Sequence, residues 1–388
     1  MDEKEKKFDL KGYISCAAMY FFFFMARTSV SVLISVYLLD KGYTATQVSI
    51  VTTVALVFTL LIQPVVGGLN DRFRPQKICS IVLIVGAAFS LIFTMANNIV
   101  LLAIIYGLVV ALINSIHPTI EKLATTSKFK YGLIRFWGTI GYATGAQVSG
   151  IVYNIGSQYI YVIASVSMII SFAGMITGSR SIPASIIKKN TKASYTKLLN
   201  LKFVVYLLIT ALFYAAFNIN ATYLPAMLNS RGMAVEGATT LIFIASLCEL
   251  PVVFWGGKVI NKINNKPLLL SAIALLGLQM GIYSLVENVV ICGAATLLIN
   301  SVVAMFYVMI NMKIVATLID ERLQMTALSL VAVIRNLGTV PFQLVAGRIL
   351  DNSSYATLYG FLVMIIIVAF IISILYKIPE GYEQKLFR

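Results

Sequence analysis

Three arginines, one glutamate and one histidine stand inside apolar surroundings, and they are the residues best able to do chemistry. Arg27 sits in FFFFMARTSVSVL, Arg135 in YGLIRFWGTIGY, Arg335 in VIRNLGTVPFQL, Glu249 in SLCELPVVF and His117 in NSIHPTIEK. Placing an ionised group at the centre of a bilayer costs from about 2.5 kcal/mol upward, so such groups face a cavity or a partner. A guanidinium fork holds a carboxylate or phosphate in bidentate fashion. Three arginines against one intramembrane glutamate leave positive charge to spare, and His117 adds to it when protonated. Together they suggest a clamp for an anionic solute, with Arg27, His117, Arg135 and Arg335 as its ligands. Asn220 and Asn311 are expected to complete the substrate site; Asn114, Gln147, Asn218, Gln279, Asn300 and Gln343, and the aromatics Tyr20, Trp137, Tyr142, Tyr223, Trp255 and Tyr307, are further candidates of the packing-or-ligand kind. Glu249 is the expected proton-coupling group, because a carboxyl group balanced between burial and a nearby arginine can exchange a proton as its surroundings change. Each assignment has a plainer counterpart. Arg27 can bond a neighbouring helix, Arg135 can sit at the interface, and Arg335 and Glu249 can form a fixed salt bridge.

The elements that position these groups are long helices. Of 388 residues, 59% are hydrophobic and 12% charged, against about 45–50% and 25% in a soluble domain. A spanning helix takes roughly 20 apolar residues. Twelve such runs fall at 13–39, 44–69, 77–97, 99–121, 132–154, 158–180, 203–229, 235–257, 267–286, 289–312, 323–347 and 354–376. The formal charge of +15 does not mark a nucleic-acid binder. With alternate loops assigned to alternate sides, Lys41, Arg231 and Arg348 fall outside and Arg27, Arg135 and Arg335 lie within helices. The other 24 of the 30 basic residues fall on the side of the N-terminus or at its border. By the positive-inside rule both termini are cytoplasmic. The expected organisation is a tail (1–12), a six-helix bundle (13–180), a cytoplasmic linker (181–202), a second six-helix bundle (203–376) and a tail (377–388). The charged opening MDEKEKKFDLKG does not read as a signal peptide. Cys16, Cys79, Cys248 and Cys292 form no motif. A single histidine excludes a histidine metal cluster, and no nucleophile elbow, acid–base dyad or phosphate loop appears. The expectation is therefore no enzyme, no cofactor and no nucleic-acid partner.

The two bundles repeat. Gly67, Asp71 and Arg72 match Gly257, Asn261 and Lys262 at an offset of 190, and Arg135, Gly138 and Thr139 match Arg335, Gly338 and Thr339 at 200. Duplicated halves of this kind hold their substrate near the midplane, between them.

The segment GGLNDRFRPQK resembles the signature of the major facilitator superfamily, Gly-x-Leu-x-Asp-Arg, through Gly67, Leu69, Asp71 and Arg72. It departs from the pattern at Arg74 and Gln76. The resemblance implies an all-α fold of twelve transmembrane helices in two pseudo-symmetric bundles, with Gly67, Asp71 and Arg72 in a cytoplasmic gate. LIQPVVGGLNDR, YGLIRFWGTIGY and CELPVVFWG are similar to segments of the lactose-permease and phenylpropionate-permease branch, which implies a cavity arginine at Arg135 and a glutamate at Glu249. Where the branch's sugar porters carry a sugar-binding glutamate, this chain has His117. Their helix-7 aspartates fall on Phe217 and Asn220, and their helix-10 His and Glu on Asn300 and Val303. A lactose-like mechanism therefore does not carry over whole. The expected function is a multi-pass, monomeric secondary transporter of the plasma membrane, a proton-coupled symporter moving a small polar, carboxylate-bearing solute by alternating access. The alternatives are a proton-coupled sugar, oligosaccharide or nucleoside permease, and a non-transporting membrane receptor of the same fold.

Overall fold

Long apolar runs leave the backbone no partner but itself in lipid, so each closes into a helix. The computed structural model describes residues 9–178, 200–260, 262–319 and 323–377, without the side chains of Asp71, residues 252–259, Ser301 and Met325. Most of the expected linker and of both tails lies outside the described residues. The helices are α1 (Leu10–Ser31), α2 (Ile34–Asp40), α3 (Ala45–Arg72), α4 (Pro75–Met95), α5 (Ile99–Thr126), α6 (Tyr131–Tyr153) and α7 (Tyr159–Gly178). After the linker come α8 (Leu201–Ser230), α9 (Val235–Ile260), α10 (Asn265–Leu285), α11 (Val289–Ala295), a π turn (Thr296–Asn300), α12 (Ser301–Leu318), α13 (Gln324–Asn352) and α14 (Tyr355–Leu375). α1 and α2 form one broken rod, as do α11, the π turn and α12. Among the described residues ten stretches are long and apolar enough to cross a membrane. The other two expected spans fall on α6 and α9, of 23 and 26 residues.

Local chemistry sets the ends, and it sets them twice. Asn98 caps α5 by accepting from the N–H groups of Val100 and Leu101, and Asn288 caps α11 through Val290 and Ile291 in the same way. Asparagine is among the best residues at that position. The turns before α3 and α9 both need a left-handed residue, and glycine supplies it at Gly42 (φ 84) and Gly232 (φ 92). Both pairs are 190 residues apart. α3 opens on a capping box, in which Thr44 and Gln47 exchange backbone and side-chain bonds.

The packing repeats as well. α1 packs on α6 and α7, α3 on α5, and α4 on α5 and α7; α8 packs on α13 and α14, α9 on α12, and α10 on α12 and α14. The halves meet along α6 against α9 and α13 against α3. Small residues permit these approaches in lipid. A Cβ at Gly347 would come within 2.5 Å of Ser49 Oγ and 2.7 Å of the Ala45 carbonyl, and one at Gly150 would collide with Thr239.

Three boundary expectations are corrected. Lys313, left just outside by a span ending at 312, is fully buried in α12, where its Nζ donates to the carbonyls of Ile260 and Ile263 at 2.7 Å each. α5 continues to Thr126, past the expected end at 121, so Glu121 lies within a helix. α13 runs to Asn352, past the expected end at 347, and so takes in Arg348, expected outside, and Asp351. In these places the apolar pattern ends before the helix does, because polar residues that find partners extend it.

Candidate functional site

Of the ligand and proton-coupling residues expected from the sequence, Arg27, His117, Arg135, Glu249 and Arg335 are linked by electrostatic reach, and Asn220 and Asn311 stand apart from them. At the end of the molecule bearing the termini, α5 and α6 bring Glu121 between an imidazole and a guanidinium group. Its Oε1 lies 3.6 Å from His117 Nε2 and 3.9 Å from Arg135 Nε, and Tyr131 donates to Oε2 at 2.8 Å. α1 supplies the aromatic wall. Arg135 stands over the Phe24 ring at 5.1 Å, and His117 stacks on Phe23 and meets Phe24 edge-on. Gly138, one turn beyond Arg135, makes room for Tyr20, whose hydroxyl lies in reach of Glu121 and Arg135. The expectation that Glu249 was the one intramembrane acid is corrected here, since Arg135 has Glu121.

The second half repeats the frame without its acid and its histidine. Arg335 stands over the Tyr214 ring at 5.2 Å, and Gly338 makes room for Ala211. Phe213 stacks on Tyr307 as Phe23 stacks on His117. Asn311 occupies the register of Glu121, 190 residues on, and accepts a hydrogen bond from Tyr206. Phe24 pairs with Tyr214 and His117 with Tyr307 at the same offset. The repeated arginine is thus seated on an aromatic ring of the first helix of its own half, where a cation–π contact contributes about 0.5–2 kcal/mol. Only the first-half copy has a carboxylate beside it among the described residues.

Arg27 lies between the two on α1, within electrostatic reach of Arg135, Arg335, Glu121 and Tyr142. Glu249, on α9, lies within reach of Arg135 and Tyr142. Among the described residues neither Arg27, Arg335 nor Glu249 forms an ion pair, so the Arg335–Glu249 bridge weighed from the sequence is not made in this conformation. The layer holds three guanidinium groups and two carboxylates.

Beyond it lies a cavity of about 240 Å³. Ser31 is one turn past Arg27 and Thr339 one turn past Arg335. Both line it, with Tyr142, Asn218, Thr222 and Asn300. Asn220 stands behind the wall, donating to Asn300 at 3.5 Å and accepting from Tyr359 at 3.1 Å. Asn311 is buried toward the terminal end, away from the cavity lining.

Past the cavity the halves are sealed. Asp351 accepts from the N–H groups of Ala45 (2.6 Å) and Thr46 (2.9 Å) at the start of α3. Ser49 donates to the Gln343 carbonyl at 2.7 Å, Gln343 donates to Thr52 at 3.1 Å, and Tyr223 donates to the Ala45 carbonyl at 2.9 Å. At the terminal end no hydrogen bond joins the halves among the described residues. A Cβ added at Gly67 would meet nothing within 4 Å there, and Arg72 is exposed. The side chain of Asp71, third of the gate residues, lies outside the described set.

Glu121, Ser31 and Thr222 were not expected. The spacing of Glu121 four residues after His117 was the available signal. The hydroxyls carry no signal, since serine and threonine abound in any membrane helix.

Residues 16–342 match the family model described as Major Facilitator Superfamily. The chain is 23% identical to the maltose permease of Geobacillus stearothermophilus over 92% of both chains. It is 27% identical to the lactose permease of Citrobacter freundii over 33% of this chain and 34% of that one. Its fold superposes on the nucleoside transporter NupG with a TM-score of 0.78 at 13% identity, covering 95% of this chain and all of the other.

Proposed function

The chain belongs to the major facilitator superfamily, and as such is a membrane transporter rather than an enzyme; from that premise we propose that it carries a small carboxylate-bearing solute across the plasma membrane, coupled to protons. The solute sits between the halves and meets Arg27 and Arg335. The observation that carries this reading is the unmatched second arginine, since Asn311 stands in the register where Glu121 serves Arg135. An incoming carboxylate supplies the negative charge that Asn311 lacks and forms charge-assisted hydrogen bonds, each contributing about 1.5–3 kcal/mol.

The coupling follows from the charge in the layer. Protonation of Glu249 removes one of two carboxylates and leaves three guanidinium groups, which strengthens the hold on an anion. The twelve spans, both termini cytoplasmic by the distribution of basic residues, make the open end the cytoplasmic one and the captured conformation inward-facing. Alternating access then consists of opening the seal at Asp351, Ser49 and Gln343 while the Gly67–Arg72 end of α3 closes the other side. The carrier acts as a monomer, because both halves of the site come from one chain.

A second reading is favoured by the cavity, whose lining is hydroxyl and amide, and by the sugar and nucleoside names of the relatives. In that reading a neutral polyol is the whole solute. Thermal-shift measurements with organic acids, sugars and nucleosides separate the two. Organic acids should raise the Tm, with the rise reduced in Arg335→Gln and Arg135→Gln. A rise with neutral sugars alone, undiminished in those variants, contradicts the anion reading.

A further inference from the structure

The guanidinium layer and the neutral cavity adjoin, and a solute filling one reaches the other. Ser31 and Thr339 follow Arg27 and Arg335 by four residues on their helices, so layer and cavity are about 6 Å apart along the axis. No Lys, Arg, Asp, Glu or His lines the cavity among the described residues. What it offers instead is a set of uncommitted neutral hydrogen-bonding groups. Asn300 uses its carbonyl to accept from Asn220 and Gln279, which leaves its two amide protons free. Asn218 donates to Thr339 at 3.0 Å, which leaves its carbonyl free. The Tyr142 hydroxyl has no hydrogen-bond partner among the described residues. Opposite these groups Ala55, Leu56, Val110 and Ile242 give an apolar wall. A volume of about 240 Å³ equals roughly eight water molecules, the size of one sugar ring. A pyranose has this same division, with a polar rim and apolar C–H faces.

Resting on the anionic-solute reading above, we infer that the site is bipartite and that its ligand class is the polyhydroxylated acid of monosaccharide size, such as a hexuronate. Its carboxylate lies at Arg27 and Arg335 and its hydroxylated ring lies in the cavity against Tyr142, Asn218 and Asn300. One molecule then makes use of both features that divide the two readings of the function. It also accounts for two chemistries meeting at Arg335 and Thr339, one turn apart on α13.

The test is equilibrium binding to the purified full-length protein of three probes, D-glucuronate, D-glucose and propionate. D-Glucuronate is expected to bind at least tenfold more tightly than either fragment. Arg335→Gln should bring it down to the level of D-glucose, and Tyr142→Phe or Thr222→Val should bring it toward that of propionate. The unliganded Tm of each variant reports whether it has folded, and the two cavity variants serve as independent checks. Propionate binding as tightly as D-glucuronate overturns the bipartite site while leaving an anion carrier in place. D-Glucose binding as tightly as D-glucuronate, with propionate not binding, overturns both readings together. Absence of binding by all three overturns the inference.

Discussion

At Arg335 the question is what fills the place that Glu121 fills beside Arg135. Both arginines rest on an aromatic ring, at 5.1 and 5.2 Å, so the duplication fixes how each guanidinium is held and leaves its ionic partner free to differ. Asn311→Asp tests the difference, being isosteric and still able to accept from Tyr206. Carboxylate affinity is expected to fall several-fold while binding of neutral sugars stays unchanged. An unaltered carboxylate affinity would mean that the register of Asn311 carries no charge information for Arg335. In the first half, Glu121→Gln removes the acid between His117 and Arg135. Those side chains are a quarter to a third exposed (His117 30%, Glu121 25%, Arg135 31%), so the loss should be on the order of 1–2 kcal/mol. A Tm lowered by about 2–4 °C is the expected reading, and no change would place the cluster among pairs that contribute nothing.

At the level of elements, the distal seal is the contact that must break for transport. Asp351 on α13 caps α3 across the halves, and a cap of this kind contributes about 0.5–2 kcal/mol. Since 1.4 kcal/mol is a factor of ten in a conformational equilibrium, Asp351→Ala should shift the population toward the distally open state by about two- to thirtyfold. Gly347→Leu should shift it further, because its side chain cannot fit between Ser49 and the Ala45 carbonyl. The readout is labelling of Thr222→Cys, in a Cys248→Ser background, by an impermeant thiol reagent applied from the distal side. Labelling no faster in either variant than in the parent would show that this contact does not hold the seal. The helices themselves were legible in the sequence, with most ends within a few residues, because an apolar run in lipid has one way to satisfy its backbone. The ends that moved were those of α5, where Glu121 is held by His117 and Arg135, α12, where Lys313 finds two carbonyls, and α13, where Asp351 caps α3. Hydropathy stops at such residues, and only neighbouring helices can say that the helix does not.

For the whole molecule, the repeat carries more than the two motifs that disclosed it. The offset of 190 joins Gly42 to Gly232, Asn98 to Asn288, Phe24 to Tyr214, His117 to Tyr307 and Glu121 to Asn311. A turn, a cap or an aromatic seat can be read from residue type once the register is known. What stayed hidden was which charges meet, since Glu121 and Arg135 lie on different helices and nothing in one dimension sets their separation. The cavity was hidden for the same reason, being assembled from α1, α2, α3, α5, α6, α8, α9, α13 and the π turn. The most direct test of an anion held between two arginine-bearing halves is uptake into proteoliposomes under an inwardly directed proton gradient. Labelled D-glucuronate, D-gluconate and succinate would be compared with D-glucose, maltose and uridine, in the wild type, Arg335→Gln and Glu249→Gln. At least one acid should accumulate above its equilibrium level in the wild type. Arg335→Gln should abolish that accumulation, and Glu249→Gln should reduce it to exchange alone. Accumulation of a neutral solute with none of the acids, equally in all three proteins, would contradict the account.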